Sequence, residues 1–454
     1  MDSAKSMVTD GTRKRIAVVG AGISGITAAF LLSEQHDVVL FERKSAIGGH
    51  TNTIVVADGP DAGTPVDTGF IVCNPVNYTH FYQFLDLLGV PRRNAEMTFG
   101  CYIEATGLHY RGPDLKDILR APRNFLSPSF CKMLLEQRRF NRCALSDLSR
   151  GTLGEQTLGD YVRSLGLSHF FVTHYLVPLA ASIWSSPDAN ILAFPAVTFL
   201  TFFRNHGMLE LHKRPQWQTV VGGSHAYLRA FERCFRGTIR TDALIERIER
   251  RDAADSVQRA GGAVTLFIRG EPEEFDSVVL ACHADEALTL LAEPSQIEQE
   301  ALGSWRYHRN RTILHTDTSL MPPRRHLWAS WNYILRGPAQ SNQEAFPEAP
   351  VSITYSMNRL QGLRTRHEYL VTLNPSQEPR PDTVVYETLY THPEYTSRSV
   401  ASQNTIQSIQ GQRNTYFCGA HLGYGFHEDG VVSALAVARH WGINRFNVPS
   451  SRVS

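Results

Sequence analysis

The apolar run Ile16-Ala17-Val18-Val19 leads directly into Gly20-Ala21-Gly22-Ile23-Ser24-Gly25. A segment rich in small residues, Ile23 to Glu34, reads as a helix. A second apolar run, Val38-Val39-Leu40-Phe41, ends on an acid, Glu42. Strand, glycine turn, helix, strand and acid in this order form a dinucleotide-binding unit. Gly20 permits the tight turn, Gly22 lets backbone approach a pyrophosphate, and Gly25 lets the helix pack closely on the sheet. Ile23 and Ser24 open the helix, whose unpaired N–H groups and dipole favour phosphate. The Glu42 carboxylate, 22 positions after Gly20, suits the ribose hydroxyls of an adenosine and repels a 2′-phosphate.

The 454 residues suffice for two domains. A net charge of +1 favours no polyanion, which argues against nucleic acid as a partner. Seven scattered cysteines without a C-x-x-C pair indicate neither a disulfide framework nor a zinc site. The chain has no metal-ligand pattern and no apolar run long enough to span a bilayer. A reducing, cytoplasmic compartment is expected.

Apolar spacing predicts helices over His80–Leu88 and Leu115–Leu119, with a short strand or hairpin over Gly100–Tyr110. Residues 81–214 read as mainly helical. Ile239–Ile248, Ala263–Ile268 and Ser277–Ala281 read as strands, and Gly337–Pro350 as a long surface loop. Thr415–Trp441 returns to strand, glycine-rich loop and helix.

Further strings resemble the FAD-dependent amine oxidase superfamily, which includes phytoene desaturases and protoporphyrinogen oxidases. Glu42-Arg43, then Gly48-Gly49-His50-Thr51, is similar to its second signature, which wraps the FAD phosphates. Asp67-Thr68-Gly69-Phe70 resembles the motif that leads toward the flavin. Val221-Gly222-Gly223 with Leu228 resembles a central glycine pair, and Ile245-Glu246-Arg247-Ile248 the strand beside adenine. Gly419-Ala420 with Asp429-Gly430-Val431 resembles the C-terminal FAD motif, in which a helix starting near Gly430 would face the flavin pyrimidine end. Cys282, at the end of a strand, reads as packing or as a further cofactor contact. A narrower resemblance is to FAD oxidoreductases similar to the N-terminal domain of plant cyclopropane fatty acid synthases. It rests on strings such as Arg204-Asn205-His206-Gly207, Met357-Asn358-Arg359-Leu360-Gln361 and Gly423-Tyr424-Gly425-Phe426-His427.

The resemblance implies an α/β fold: a Rossmann-like FAD-binding domain (13–80, 215–285 and 401–446) interleaved with an α+β substrate domain (81–214 and 286–400). Residues 1–12 and 447–454 would be flexible termini. It implies FAD, and an apolar, fatty-acyl substrate that gives hydride to flavin N5 in a dehydrogenation, desaturation or isomerisation. A small-amine oxidase and a non-catalytic FAD-binding partner of a cyclopropane-synthase-like methyltransferase are the alternatives. Many of these amine oxidases place a lysine near flavin N5, but this chain has none after Lys213.

The candidates for proton handling are His421, Tyr424, His427 and Glu428, in the loop from Ala420 to Gly430. For the two histidines and Glu428 the structural alternative is to satisfy backbone groups of the loop, and Tyr424 either bounds the pocket or supplies a hydroxyl. Trp184, Tyr175, Trp328, Trp331, Tyr333 and Tyr355 could line an apolar pocket or simply pack the core. Arg204 and His206 could meet a head group or close a helix end. Arg111–Arg142 carries eight Lys/Arg and three acids among apolar residues, which suits a membrane surface or a solvated helix face.

Overall fold

The computed structural model describes residues 13–112, 115–186, 191–210, 215–251, 262–336 and 352–446. Both expected flexible termini and the expected Gly337–Pro350 loop lie outside the described residues. Among the described residues no helix is long and apolar enough to cross a membrane.

The first strand, β1 (Arg15–Val19), pairs in parallel with β2 (Asp37–Phe41) on one side and Ser277–Leu280 on the other. Thr415–Phe417 and Thr238–Arg240 extend the sheet to five parallel strands. Such a sheet is covered on both faces, so its strands are continuously apolar rather than alternating. The helix α1 (Ile23–Leu32) is buried at every position, which explains why it lacks a polar face.

A seven-stranded sheet forms the second centre. Its order is Val384–Pro393, Tyr307–His315, Leu370–Leu373, Ile353–Ser356, Trp331–Leu335, Phe99–Ile103 and Leu108–Gly112. The expected strand or hairpin near Gly100–Tyr110 is a hairpin that completes one edge of this sheet. The stretch 81–214 is therefore not purely helical. Its helices include Thr79–Leu87, Pro128–Arg150, Val177–Trp184 and Ala196–Asn205.

Two expected elements are corrected. Ile239–Ile248 is not one strand: the chain breaks at Asp242, where φ is 51°. Asp242 N donates to Lys44 O and Ala243 N to Glu42 O (both 2.9 Å), which folds the chain over the end of β2. Thr238–Arg240 thus joins the parallel sheet, and Ile245–Arg250 starts a separate antiparallel sheet with Val264–Ile268 and Glu271–Phe275. The last helix starts at His427, not near Gly430, and runs to His440. Its N3 residue Asp429 accepts from Phe426 N at 2.9 Å, so one helical turn replaces what reads as loop.

The last helix lies against α1, and both begin at the same edge of the parallel sheet. A Cβ at Gly430 would sit 2.7 Å from Ile23 Cγ2 and 2.8 Å from Ser24 Oγ. A Cβ at Gly25 would sit 1.8 Å from Gly20 O, a backbone atom that cannot step aside. Gly25→Ala should therefore lower unfolding stability by at least about 1–3 kcal/mol, the range for overpacking, and reduce cofactor retention. Denaturant melts and visible absorbance of the purified variant check this; wild-type values for both would refute the packing argument.

Candidate cofactor and substrate site

At the nucleotide end, Gly20 (φ 100°) donates to Phe41 O at 2.9 Å, and a Cβ there would press on the Ala281 carbonyl at 3.0 Å. Gly22 is different: a Cβ there meets nothing within 4 Å. Gly48 N donates to Ala21 O at 2.8 Å, and a Cβ at Gly49 (φ 60°) would lie 3.1 Å from Gly22 Cα. The two glycine pairs therefore face each other across the open side of the turn. The N-cap of α1 is Gly22, which has no capping side chain, so the helix end keeps donors for a ligand.

Glu42 is buried. Its Oε2 accepts from Ala21 N and its Oε1 from Lys44 N, both at 3.0 Å. It therefore tethers the glycine turn to its own loop. Ile245 is buried just beyond the Ala243–Glu42 contact. Arg43 is drawn to Glu286 (2.7 Å) at the surface. Cys282 places its backbone N 3.1 Å from the Cβ position of Gly20, and burial pushes its thiol pKa up. An open glycine cradle, a helix N-terminus without a side-chain cap and a buried acid at the end of β2 fit the ADP half of FAD.

One buried carboxyl joins three of the sequence strings. Asp67 Oδ1 accepts from Ser224 N and Oγ, both at 2.8 Å, and from Thr53 Oγ1 at 2.5 Å. Gln361 Nε2 donates to Asp67 Oδ2 (3.0 Å), and Asp67 N donates to Gln361 Oε1 (2.8 Å). Burial pushes the Asp67 carboxyl up to about 6. Next to it, Thr68 Oγ1 meets Tyr390 OH at 2.8 Å and Phe70 N donates to His50 O at 2.8 Å. A Cβ at Gly69 would lie 2.0 Å from that same carbonyl.

The C-terminal loop separates the four proton-handling candidates. His421 is buried, and its ring meets Trp305 edge-on at 5.1 Å. Among the described residues its Nε2 has no hydrogen-bond partner, and burial pushes its pKa down to about 3. Its Nδ1 lies 2.4 Å from the Cβ position of Gly419, whose N donates to Ser433 Oγ at 2.9 Å. Ala420 begins the turn that carries His421. His427, in contrast, is held in place. Its Nε2 lies 3.0 Å from Thr51 Oγ1 and 3.3 Å from Tyr227 OH, and Phe70 stacks on its ring at 3.7 Å. Glu428 caps the helix Thr79–Leu87, accepting from Phe81 N (2.9 Å), His80 N (3.0 Å) and Thr79 Oγ1 (3.2 Å), and contacting His80 Nδ1 at 2.7 Å. Of its two readings, the geometry supports the hydrogen-bond acceptor. The Tyr424 carbonyl accepts from Trp184 Nε1 at 3.1 Å. Val431 is fully buried behind the loop.

A histidine cluster was missed by the sequence reading. His50 stacks on Tyr390 (5.1 Å) and meets His392 at 5.2 Å. His392 faces His308 at 5.8 Å and contacts Asn310 Nδ2 through Nδ1 at 2.7 Å. His283 stacks on Tyr307 at 4.2 Å. Burial keeps these imidazoles neutral, with His50 lowered to about 4. His308 and His392 are cross-strand neighbours, so only the register of the sheet brings them together.

Aromatic rings form a wall against the loop. Trp184 lies 4.6 Å from Phe202 and 4.9 Å from Phe194, while Phe202 lies 5.1 Å from Phe426 and 5.6 Å from Tyr424. Of the six aromatics proposed from sequence, Trp184 joins this wall. Trp328 packs with Met321 and Leu370 in a separate cluster. Trp331 and Tyr355 meet edge-on at 5.6 Å, Tyr333 is buried on the strand Trp331–Leu335, and Tyr175 accepts from Gln137. His206 stacks on Phe202 at the helix end that also carries Arg204. Asn358 and Arg359 are engaged by Tyr369 N and Glu96.

Two outcomes follow from this geometry. Glu42→Ala leaves Ala21 N and Lys44 N without their acceptor, and the FAD dissociation constant should rise about tenfold or more, as fluorescence titration would read. The second concerns acid. Burial lowers His50, His109, His174 and His315 to about 4 and His421 and His427 to about 3, against 6.5 for the free group. Below 6.5 the unfolded chain binds protons that the folded chain refuses, so stability is full above 6.5 and falls as pH drops toward 4. Asp67, raised by burial, opposes this by one group. Denaturant melts between pH 7 and 5 should show a slope steeper than the ~1.4 kcal/mol per pH unit of a single site; a flat profile would contradict the neutral burial.

The sequence of the family described as flavin containing amine oxidoreductase matches residues 23–345. No curated protein matches the chain by sequence. Among solved structures, the chain is similar to a fatty acid isomerase from P. acnes that produces CLA (TM-score 0.65, 15% identity, 94% of this chain and 98% of that one). It is equally similar to putrescine oxidase with putrescine bound (TM-score 0.65, 13% identity, 95% and 100%). A cyclohexylamine oxidase from Brevibacterium oxydans IH-35A follows (TM-score 0.63, 13% identity, 95% and 100%). At these identities the structures share the fold alone. With its glycine cradle, buried Glu42 and family match over most of its length, the chain belongs to the flavin-containing amine oxidoreductases and is an FAD-dependent oxidoreductase.

Proposed function

We propose that this oxidoreductase acts on an apolar, fatty-acyl chain, by dehydrogenation, desaturation or isomerisation. The observation that carries the reading is the aromatic wall of Trp184, Phe194, Phe202 and Phe426 packed against the loop that bears His421. Trp184, Phe194 and Phe202 are buried against one another, an environment that excludes water and favours hydrocarbon over charge beside it. FAD, when bound, supplies a two-electron acceptor for hydride. The protein's part is to hold the chain and to manage a proton. His421 has the means: a neutral ring, an unpartnered Nε2, and an edge-on contact with Trp305 that fixes its plane. That nitrogen can take a proton released from the substrate or return it elsewhere on the chain.

An ammonium would be poorly served beside this loop. Glu428 and Asp429 both accept backbone N–H groups at helix starts, which leaves them engaged; separately, the lysine that many amine oxidases hold near flavin N5 has no counterpart after Lys213. The fold is shared equally with a fatty acid isomerase and a putrescine oxidase, so the reading rests on the wall and not on the likeness.

The test is to incubate the holoenzyme with unsaturated fatty acids and, separately, with putrescine and alkylamines. Acyl chains should come back two hydrogens lighter or with a moved double bond, as mass spectrometry and gas chromatography resolve. His421→Ala should keep FAD and lose about 10²–10⁴-fold in kcat. Peroxide released with amines, and unchanged fatty acids, would overturn the reading.

A further inference from the structure

The segment 116–142 presents a surface that the fold and the redox site do not account for. Its helix Pro128–Arg150 buries Phe130, Met133, Phe140 and Ala144 against the core. The opposite face exposes Lys132, Arg138, Arg139 and Arg142, and between them Leu135 at 65% exposure. Just before the helix, Lys116, Arg120 and Arg123 are also exposed. So are Leu119 (54%), Phe125 (38%) and Leu126 (84%).

No acid in this segment is exposed. Asp117 is buried against Arg111 (3.1 Å), and Glu136 is buried while accepting from Ser168 N at 3.0 Å. Of the elements packed on the helix, Pro122–Leu126, His169–Phe171 and Ala196–Asn205 contain no Asp or Glu, and Leu158–Ser164, which meets it through Tyr161, carries Asp160, paired with Arg163 at 2.5 Å. Asp117 reaches Arg120 (3.4 Å) and Glu136 reaches Lys132 (3.8 Å); among the described residues, Lys116, Arg123, Arg138, Arg139 and Arg142 carry no ion pair. Seven exposed cations with no exposed acid stand out in a chain whose net charge is +1.

Solvation alone explains the cations but not the company they keep. Large apolar side chains at a protruding turn cost free energy in water, yet lower it at a headgroup boundary. We propose that residues 116–142 dock this protein on an anionic lipid bilayer. Leu119, Phe125, Leu126 and Leu135 enter the interface, and the flanking Lys and Arg side chains meet the acidic headgroups. The charge pattern selects the bilayer over an apolar protein groove, which would leave those cations without counter-charge.

Flotation with phosphatidylcholine vesicles, with and without phosphatidylglycerol, tests this on the FAD-loaded full chain. Wild type should bind only the anionic vesicles, and less as salt rises. The triple variant Arg138→Gln, Arg139→Gln, Arg142→Gln should bind about a hundredfold more weakly, near fivefold per charge. The double variant Phe125→Ser, Leu126→Ser should also lose binding, at low salt as well as high. The arginine variant should keep the flavin spectrum and melting temperature, and because Phe125 also packs edge-on against Phe130 (5.7 Å), the single variant Leu126→Ser, at 84% exposure, should keep both while losing binding. Absence of wild-type binding to either vesicle, equal binding to both, or undiminished binding by the variants would overturn the proposal. None of these readouts involves a substrate.

Discussion

Everything at the cofactor end depends on one close approach of backbones. Two helices begin at the same edge of the parallel sheet, and both are pressed against it and each other so tightly that a Cβ at Gly25 or Gly430 has no room. The reward is electrostatic: two helix N-termini come together beside Gly22, where a Cβ would meet nothing within 4 Å, and the first of them has no side-chain cap. Glu42 then locks the turn by accepting from Ala21 N, and Asp67 locks the neighbouring strands by accepting from Ser224 and Thr53. These carboxyls act as internal fasteners for backbone that would otherwise be free to move.

The region around the last loop and the seven-stranded sheet obeys a different constraint, the cost of burying charge. Its imidazoles are held neutral by burial, and the acids nearest the last loop are engaged as helix caps. What remains near His421 is aromatic surface and an unpartnered ring nitrogen. In the function proposed above, that nitrogen handles the proton and the rings meet the acyl chain.

The parts legible in the sequence were those written locally. The run from Ile16 to Glu42 states its strands, turn and helix in consecutive residues, and Gly22, Gly25 and Glu42 are where the pattern places them. The errors came at boundaries and across long separations. His427 and Glu428 read as loop because Gly430 follows closely, although the adjacent acids Glu428 and Asp429 are typical of a first helical turn and could have moved the boundary. Ile239–Ile248 read as one strand because a left-handed turn at Asp242 leaves apolar residues on both sides. The His50–His392–His308 cluster left no trace, since only the pairing of Tyr307–His315 with Val384–Pro393 assembles it. The aromatics divided likewise: Trp184 reached the wall, while Trp328 went to a cluster of its own.

The most direct measurement is a titration of the holoenzyme with fatty acids and alkylamines of matched chain length, following the visible flavin band. If the aromatic wall receives an acyl substrate, fatty acids should perturb the band with a Kd that falls about fourfold per added methylene, while matched amines leave it unchanged. Saturable perturbation by amines, with none by fatty acids, would contradict the account.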